Sequence, residues 1–280
     1  MIGAAQDWLE ARVPFDDTAR QQSLPLLDRA AQALLDADPS GQSRLTIVDL
    51  GAGTGKSAAW FREHLTPRLP GRTIQWLLVD AHEPSLEIAT QHVGEADTIV
   101  TRLSELPTAL GEYLPGHPAP GSLFLTCSAV LDVLTQDDVD AILTTLDTYK
   151  GLGLFLLSIT ADWHLTPPDP RDEWLAQAFA AHQRWDGKLG ADGGHVMLRT
   201  ARERGVPTAH GNTPWQLSGP QDAEFIRRFL TERVAAVIEA EPDSEAEAMD
   251  WLETRNRQVA ENLNVTVDHL DVLVDSRKGG

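Results

Sequence analysis

The sequence predicts an α/β fold, a doubly wound, mostly parallel seven-stranded sheet with helical additions. Three observations lead to this prediction. A short apolar run at 45–48 enters a glycine-rich turn and is followed by a helical pattern at 57–65. A second run at 73–79 is apolar throughout, as in strands covered on both faces. Further strand patterns then alternate with helical ones up to residue 159, the order that produces a parallel sheet.

The turn after the first strand is the most informative stretch, Asp49-Leu50-Gly51-Ala52-Gly53-Thr54-Gly55-Lys56-Ser57. A strand, a glycine loop and a helix N-terminus together form a backbone cradle whose N–H groups point outward. The phosphate-binding pattern G-x-x-x-x-G-K-[ST] fits Gly55-Lys56-Ser57, but its first glycine would fall on Leu50. The dinucleotide pattern G-x-G-x-x-G requires a glycine where Lys56 stands.

The loop instead has an acidic residue two positions before G-x-G-x-G, which resembles motif I of the class I S-adenosylmethionine (SAM)-dependent methyltransferases. The resemblance implies a Rossmann-like methyltransferase fold with SAM as cofactor. In that family the loop faces the methionine and ribose of a cationic sulfonium, so a phosphate-binding lysine is not required. Cofactor contacts are expected from Asp49, Gly51, Ala52, Gly53, Thr54 and Gly55. A purely structural glycine turn is the alternative interpretation.

The second strand ends in a carboxylate, Asp80, followed by Ala81. A carboxylate at the tip of the second parallel strand is well placed to accept hydrogen bonds from both ribose hydroxyls. Asp80 is therefore expected to bind the cofactor ribose, with Ala81 beside it. The alternative is that Asp80 caps the helix that begins near Pro84.

Three more strands are predicted within the resemblance, which covers about 45–159. The run 98–101 is the third, and Leu103 and Ser104 after it would lie where the adenine is held. The run 122–131 is a fourth strand entering a loop similar to motif IV, which adds Cys127 and Ser128 to the cofactor-binding set. A helix at 136–146 and a fifth strand at 153–159 follow.

Composition limits the partners. The 280 residues carry a formal net charge of −19, with 42 acidic residues against 23 Lys and Arg, which disfavours nucleic acid as a partner. The negative surface suits a neutral or cationic acceptor better than a polyanion. Cys127 is the only cysteine, and Asp132 stands alone where a catechol-type metal site would need more carboxylates, so no metal is predicted. Without a signal peptide or an apolar run of about 20 residues, a cytoplasmic protein with no membrane partner is expected.

The chain is divided into three parts: an N-terminal helical segment over the cofactor pocket, 1–40; a SAM-binding Rossmann-like core, 41–160; and substrate cap helices with C-terminal strands completing the sheet, 161–280. In the first part a helix is predicted at 23–35. The resemblance implies that Arg20, just before it, reaches the methionine carboxylate, since an Arg guanidinium can form bidentate hydrogen bonds with a carboxylate. A solvated charge near a helix start is the alternative.

Substrate recognition is expected in the segment 162–195, as a polar roof over an open pocket. His182 lies on a predicted helix there, and Asp186, four residues later, could orient its imidazole. His182 and Asp186 are the candidate catalytic residues. The alternative is that His182 is a partly buried helix residue, and methyl transfer, which needs mainly in-line approach, can proceed without a dedicated base. A flexible glycine-rich loop is predicted at 187–195.

The remaining segments continue the mixed pattern. Helices are predicted at 196–204, 222–240 and 244–262, an extended stretch at 206–217, and an alternating strand at 264–274. The favoured function is methyl transfer from SAM to an oxygen, nitrogen or carbon atom of a small molecule. A non-catalytic SAM-binding or product-binding protein is the alternative from another class. A nucleotide hydrolase using Lys56 is a third. The oligomeric state is left open.

Overall fold

The computed structural model describes residues 6–114, 119 and 121–278. The first five residues of the predicted N-terminal segment therefore lie outside the described residues. The helices are α1 Gln6–Gln22, α2 Leu24–Ala37, α3 Lys56–Leu65, α4 Glu83–Val93, α5 Leu106–Tyr113, α6 Gln136–Tyr149, α7 Asp172–Gln183, α8 Gly193–Glu203, α9 Ala223–Ala240 and α10 Glu245–Val259. The strands are β1 Leu45–Leu50, β2 Ile74–Asp80, β3 Asp97–Val100, β4 Leu123–Ser128, β5 Leu152–Thr166, β6 Thr208–Asn212, β7 Trp215–Ser218 and β8 Asn264–Asp275.

The strands form one sheet in the order β3-β2-β1-β4-β5-β8-β6, and β7 also pairs with β8. The first five strands are mutually parallel, whereas β8 is antiparallel to β5, β6 and β7. The predicted fold class is confirmed. The described sheet has eight strands rather than seven because the extended stretch 206–217 divides at Thr213, whose N–H donates to the His269 carbonyl, and resumes at Trp215.

Helices cover both faces of the sheet. Leu45 and Ile47 of β1 belong to one apolar layer, and Val48 and Leu50 belong to the other. This alternation follows from the two-residue period of a strand. The first layer includes buried side chains of α2, α3, α4, α7, α9 and α10, and the second includes those of α5, α6 and α8. The chain is therefore doubly wound.

The fifth strand is longer than the predicted 153–159 and contains an irregularity. Leu157 has a φ of 54° within a register shift between β5 and β8. Its N–H donates to Oδ1 of the buried Asp271, at 2.8 Å, and Asp271 also accepts from the hydroxyls of Ser23 and Thr213. Asp271 thereby joins the start of α2, the centre of β5 and the break between β6 and β7.

One helix, α1, was missed from the sequence. One further prediction is corrected. The stretch 187–195 is not a flexible loop throughout, because Gly193 and Gly194 are buried and begin α8. A Cβ on Gly193 would lie 2.3 Å from the Leu131 carbonyl oxygen, so the chain turns there in contact with the segment after β4. No helix in the described part of the chain is long and apolar enough to span a membrane.

Candidate functional site

The glycine turn between β1 and α3 has the backbone that its sequence requires. Gly51, Gly53 and Gly55 have φ values of 61°, 52° and 83°. These left-handed conformations cost a residue with a Cβ about 1–2 kcal/mol each, so the alternating glycines allow the loop to fold back over the end of β1. The Ala52 N–H donates to the Val79 carbonyl of β2, at 3.0 Å, which fixes the loop against the neighbouring strand.

The three glycines differ in what surrounds them. A Cβ on Gly55 would lie 2.9 Å from the Cα of Ala89 on α4, and one on Gly51 would lie 3.0 Å from a methyl of Val130. A Cβ on Gly53 would meet nothing closer than the Gly51 oxygen at 4.0 Å. Gly51 and Gly55 are therefore needed for close packing, whereas Gly53 leaves its main chain open to a ligand.

Asp80 lies across this loop from the tip of β2. Its Oδ2 accepts from the Gly53 N–H at 2.9 Å, and its Oδ1 accepts from the His82 N–H at 2.8 Å. A carboxylate has about four acceptor positions, so two further donors can be accepted. The N-cap alternative is not what the structure shows, since α4 begins at Glu83 and is preceded by His82.

Asp49 is fully buried beneath the loop. Its Oδ1 accepts from the hydroxyls of Thr126, at 2.8 Å, and Ser57, at 3.1 Å, while Oδ2 has no hydrogen-bond partner among the described residues. Burial raises the pKa of Asp49 to about 7, and the two hydroxyls, the charge of Arg20 and the nearby N–H of Ala58 act against it. A buried acceptor without a partner is costly, which marks Oδ2 as a position for a donor or a cation.

Helix α1 forms the wall facing the loop. Arg12, Asp16 and Arg20 follow each other at four-residue intervals and therefore lie on one side of the helix. Arg20 is 6 % exposed; it donates to the Ser128 hydroxyl at 3.1 Å and to Asp17 at 3.0 Å. Its Nε is buried and has no partner among the described residues. Arg20 is thus held at the carboxyl end of β4 and is not a solvated surface charge.

These elements enclose a cavity of about 170 Å³. Its lining comes from α1, the glycine loop, the start of α3 and the end of β4: Arg12, Val13, Asp16, Arg20, Gly51, Ala52, Gly53, Thr54, Lys56, Ser57, Ser128, Ala129 and Val130. Six residues predicted to bind the cofactor line it together, namely Arg20, Gly51, Ala52, Gly53, Thr54 and Ser128. Asp49 and Gly55 support the loop from below, and Asp80 from the side.

The four other predicted cofactor residues neither line the cavity nor support its loop. Ala81 and Ser104 are exposed beyond the ends of β2 and β3. Leu103 and Cys127 are buried in the apolar layer that contains α5 and α6, and burial raises the pKa of the Cys127 thiol. For Cys127, the main chain rather than the thiol is the part that can face the site.

The candidate catalytic pair is not brought together. Helix α7 ends at Gln183, so Asp186 is exposed beyond it, and the carboxylate near His182 is Glu239 of α9, with Nε2 and Oε2 3.5 Å apart. The orienting role expected of Asp186 stays a prediction, and Glu239 is the carboxylate that the structure places beside His182. Neither residue lines the cavity, whose outer wall comes from α1, within the segment 1–40 that was predicted to lie over the cofactor pocket; the roof over the substrate predicted from 162–195 stays a prediction.

Several site residues were missed from the sequence. Thr126 and Ser57 hold Asp49, and Arg12 and Asp16 of α1 line the cavity. The spacing of Arg12, Asp16 and Arg20 was the available signal for the α1 residues. Thr126 gave no signal, because only the pairing of β1 with β4 places it opposite Asp49. Among the described residues, no group of three or more His, Cys, Asp and Glu side chains is arranged to hold a metal ion.

Comparison with known proteins bears on the fold. No protein-family model matches the chain, and no curated protein is similar to it in sequence. A presumed methyltransferase from Bacillus halodurans C-125 is similar in structure, with a TM-score of 0.50 and 10% identity over 87% of this chain and 98% of that one. The chain therefore has the Rossmann-like methyltransferase fold, and the resemblance to class I methyltransferases is confirmed at that level.

Weaker structural likenesses have TM-scores below 0.5. The cyclopropane synthase MmaA2 from Mycobacterium tuberculosis has a TM-score of 0.43 and 12% identity, over 90% of this chain and 83% of that one. The plantazolicin methyltransferase BpumL, solved in complex with SAH, has a TM-score of 0.44 and 12% identity, over 97% and 91%.

Proposed function

We propose that this chain is a SAM-dependent methyltransferase that transfers a methyl group to an oxygen, nitrogen or carbon atom of a small molecule. The observation that carries the proposal is the position of Asp80, whose carboxylate bonds the Gly53 N–H at the open part of the glycine loop, beside a cavity closed by Arg20. An acidic strand tip and a bare glycine loop suit a ribose and a sulfonium better than a phosphate.

The residues present fit such a cofactor. Asp80 has acceptor capacity left for two ribose hydroxyls, and Gly53 offers unobstructed main chain. Of the residues outside the cavity, Ala81 is proposed to lie beside the ribose, Leu103 and Ser104 along the adenine, and Cys127 to contribute main chain beside Ser128.

The methionine end of the cofactor would meet groups of opposite charge. The unpartnered Oδ2 of Asp49 lies below the loop, and Ser57, which bonds the same carboxylate, lines the cavity; these two are proposed to receive the amino group. Arg20, with its unpartnered Nε, is proposed to bind the carboxylate. The pair thus supplies both a negative and a positive partner for an amino acid.

SAM, when bound, supplies an electrophilic methyl group on a cationic sulfur. The protein's part is to bind and orient it and to exclude water, which here falls to Val13 of α1 and Val130 after β4 at the cavity wall. In-line positioning accounts for much of the barrier in such transfers. The structure lends no geometric support to His182 as a base; if His182→Ala leaves turnover unchanged across pH, it has no part in the reaction.

A SAM-binding or product-binding protein without catalysis is the second candidate. The position of α1 against the glycine loop favours it, because the helix occupies space beside the loop where an enzyme also needs room for an acceptor. The nucleotide hydrolase is less favoured, since Leu50, where the phosphate loop needs glycine, is a buried residue of β1.

Mass spectrometry distinguishes these candidates. Ligands that co-purify with the protein are identified first, and SAM or SAH is expected. The protein is then incubated with SAM and a lysate of small metabolites, and a metabolite that gains one CH2 is sought, with Asp80→Ala as the control. A new methylated metabolite with the wild type alone supports the enzyme. Bound SAM or SAH without any methylated product supports the binding protein.

A further inference from the structure

Helix α9 carries a buried cation without a carboxylate partner. Arg233 is 6 % exposed, and its only hydrogen bond among the described residues is from Nη1 to the Phe229 carbonyl, at 3.2 Å. No ion pair involving Arg233 is formed within the described chain. Burial lowers the pKa of Arg233 to about 9, the largest of the influences on it. Taking a guanidinium out of water without an anion is unfavourable, so this position calls for an explanation.

Aromatic rings surround the guanidinium. Its carbon lies 3.2 Å from the ring centre of Phe229, 4.8 Å from that of Phe179 and 5.7 Å from that of Trp163. Cation–π attraction compensates part of the burial. Among the described residues one guanidinium nitrogen has an acceptor, and the other two are not fully buried, so their donors keep some access to solvent.

Two further basic side chains lie nearby. Arg12 is positioned 5.4 Å above the ring of Trp215, and that ring lies 4.8 Å from the ring of His269. Arg12 is partly neutralised by Asp16, at 2.8 Å. Burial, followed by the charge of Arg12, lowers the pKa of His269 to about 3, and its Nδ1 has no partner among the described residues. The region thus holds two guanidinium groups, one of them without an ion pair among the described residues, and a neutral imidazole, in a chain whose net charge is −19.

The basic region adjoins the proposed cofactor site. Arg12 lines the glycine-loop cavity and also stacks on Trp215. Trp215 in turn lies 6.5 Å from Phe229, the residue beneath Arg233. Buried ring contacts therefore link Arg12 of the cavity lining to the buried guanidinium.

We propose that Arg233, within the electrostatic reach of Arg12, recognises the carboxylate of an aromatic acid, and that this acid is the methyl acceptor. The inference rests on the proposed function and specifies its substrate class. It replaces the expectation that the acidic surface favours a neutral or cationic acceptor, because the side chains at the binding site, and not the net charge of the chain, set the charge around a bound acceptor. The rings of Trp163 and Phe179, which line the crevice beside Arg233, provide the apolar faces that an aromatic body requires.

The carboxylate subsite is closed in this structure. The crevice beside Arg233 measures about 10 Å³, and Phe179 and Gln183 of α7 form one of its walls. Entry of a carboxylate requires these two side chains to move, which makes α7 the part of the fold that opens for the acceptor.

The test compares aromatic acids with their neutral amides. Benzoate, phenylacetate, benzamide and phenylacetamide are titrated into the full-length protein with and without saturating SAH, using the tryptophan fluorescence to which Trp163 and Trp215 contribute. At least one acid is expected to bind about tenfold or more tightly than its amide, as a charged hydrogen-bond pair requires. In Arg233→Met that preference falls to within about twofold, whereas Arg227→Met, an exposed Arg of the same helix, retains it.

Other readouts separate recognition from a structural role. If Arg233 acquires its anion partner only when the ligand binds, ligand-free Arg233→Met unfolds at the same or a higher temperature than the wild type, since an unpaired buried charge is removed. A lower unfolding temperature with an unchanged acid preference means a structural anchor and overturns the proposal. So does the absence of any preference for acid over amide in the wild type, which needs no variant to fold. Failure of SAH to bind would refute the cofactor proposal, while the titrations without SAH still decide this one.

Discussion

The carboxylate of Asp80 accepts a hydrogen bond from the Gly53 N–H, 2.9 Å away, and so joins the tip of β2 to the middle of the glycine loop. The two residues are 27 positions apart, and the parallel pairing of β1 with β2 brings them together. The carboxylate that is proposed to hold the ribose thus also shapes the loop proposed to hold the methionine. A substitution of Asp80 is therefore expected to remove both the ribose contact and the hydrogen bond from the Gly53 N–H.

Replacing Asp80 with Ala should weaken SAH binding at least about tenfold, because charged hydrogen bonds to the ribose are lost. Calorimetric titration measures the change. Lys56→Ala is the control from the same cavity lining, and it should leave SAH affinity nearly unchanged because no phosphate is bound. An unaltered affinity in Asp80→Ala would contradict the ribose assignment, and a large loss in Lys56→Ala would restore the phosphate hypothesis.

Asp49 should make SAH binding release a proton. Its pKa, raised by burial to about 7, keeps it largely protonated in the free protein at about pH 6. An ammonium placed beside it favours the ionised form, so affinity should rise with pH up to about 7 and then level off. Calorimetry in two buffers of different ionisation enthalpy counts the proton. Asp49→Asn should release none, and equal release by both proteins would exclude Asp49 as its source.

The same shift affects stability. Because the folded pKa of Asp49 lies above its unfolded value, the contribution of Asp49 to stability is complete at low pH and is lost as pH rises through about 7. Between about pH 4 and pH 7 the free energy of unfolding should therefore fall less steeply with pH in Asp49→Asn than in the wild type.

Arg20→Gln should weaken SAH binding by about tenfold or more, through loss of the pair with the methionine carboxylate. It should leave the affinity for 5′-methylthioadenosine unchanged, because that compound keeps the adenosine and sulfur but lacks the amino acid. Competition against a fluorescent nucleoside would give both constants. Equal losses for both ligands would mean that Arg20 shapes the pocket as a whole.

Gly55 and Gly71 form a matched pair for testing the loop. Both have left-handed φ values, 83° and 79°, but a Cβ would meet Ala89 at 2.9 Å in the first and nothing within 4 Å in the second. Gly71→Ala should cost about 1–2 kcal/mol of unfolding free energy from the backbone alone, and Gly55→Ala about 1–3 kcal/mol more from the contact with α4. Urea denaturation gives both values. Similar losses of unfolding free energy in the two variants would show that α4 can shift away from the added Cβ at little energetic cost.

The core of the fold was predictable because β1, β2 and β4 are largely buried on both faces and have apolar sequences. Strands β1, β2 and β3 begin and end within about two residues of the predicted positions. The glycine loop was recognisable because its left-handed backbone requires glycine. The position of Asp80 was predictable because it is the last residue of β2.

What the sequence did not predict depends on contacts between distant segments. Helix α1 contains Pro14 and an irregular apolar pattern, so its assignment depends on packing against Trp215 and Phe225 through Phe15. The partner of His182 is Glu239, 57 positions away on α9, and helical spacing cannot suggest it. Arg233 reads as one more charge on an amphipathic helix until its burial is seen.

A crystal structure of the protein grown with SAH tests the central claim most directly. The ribose hydroxyls should lie within hydrogen-bonding distance of the Asp80 carboxylate, with the amino acid end along 51–55 toward Arg20. A ribose bound away from Asp80, or SAH found outside the crevice between β1, β2 and α1, would contradict the account.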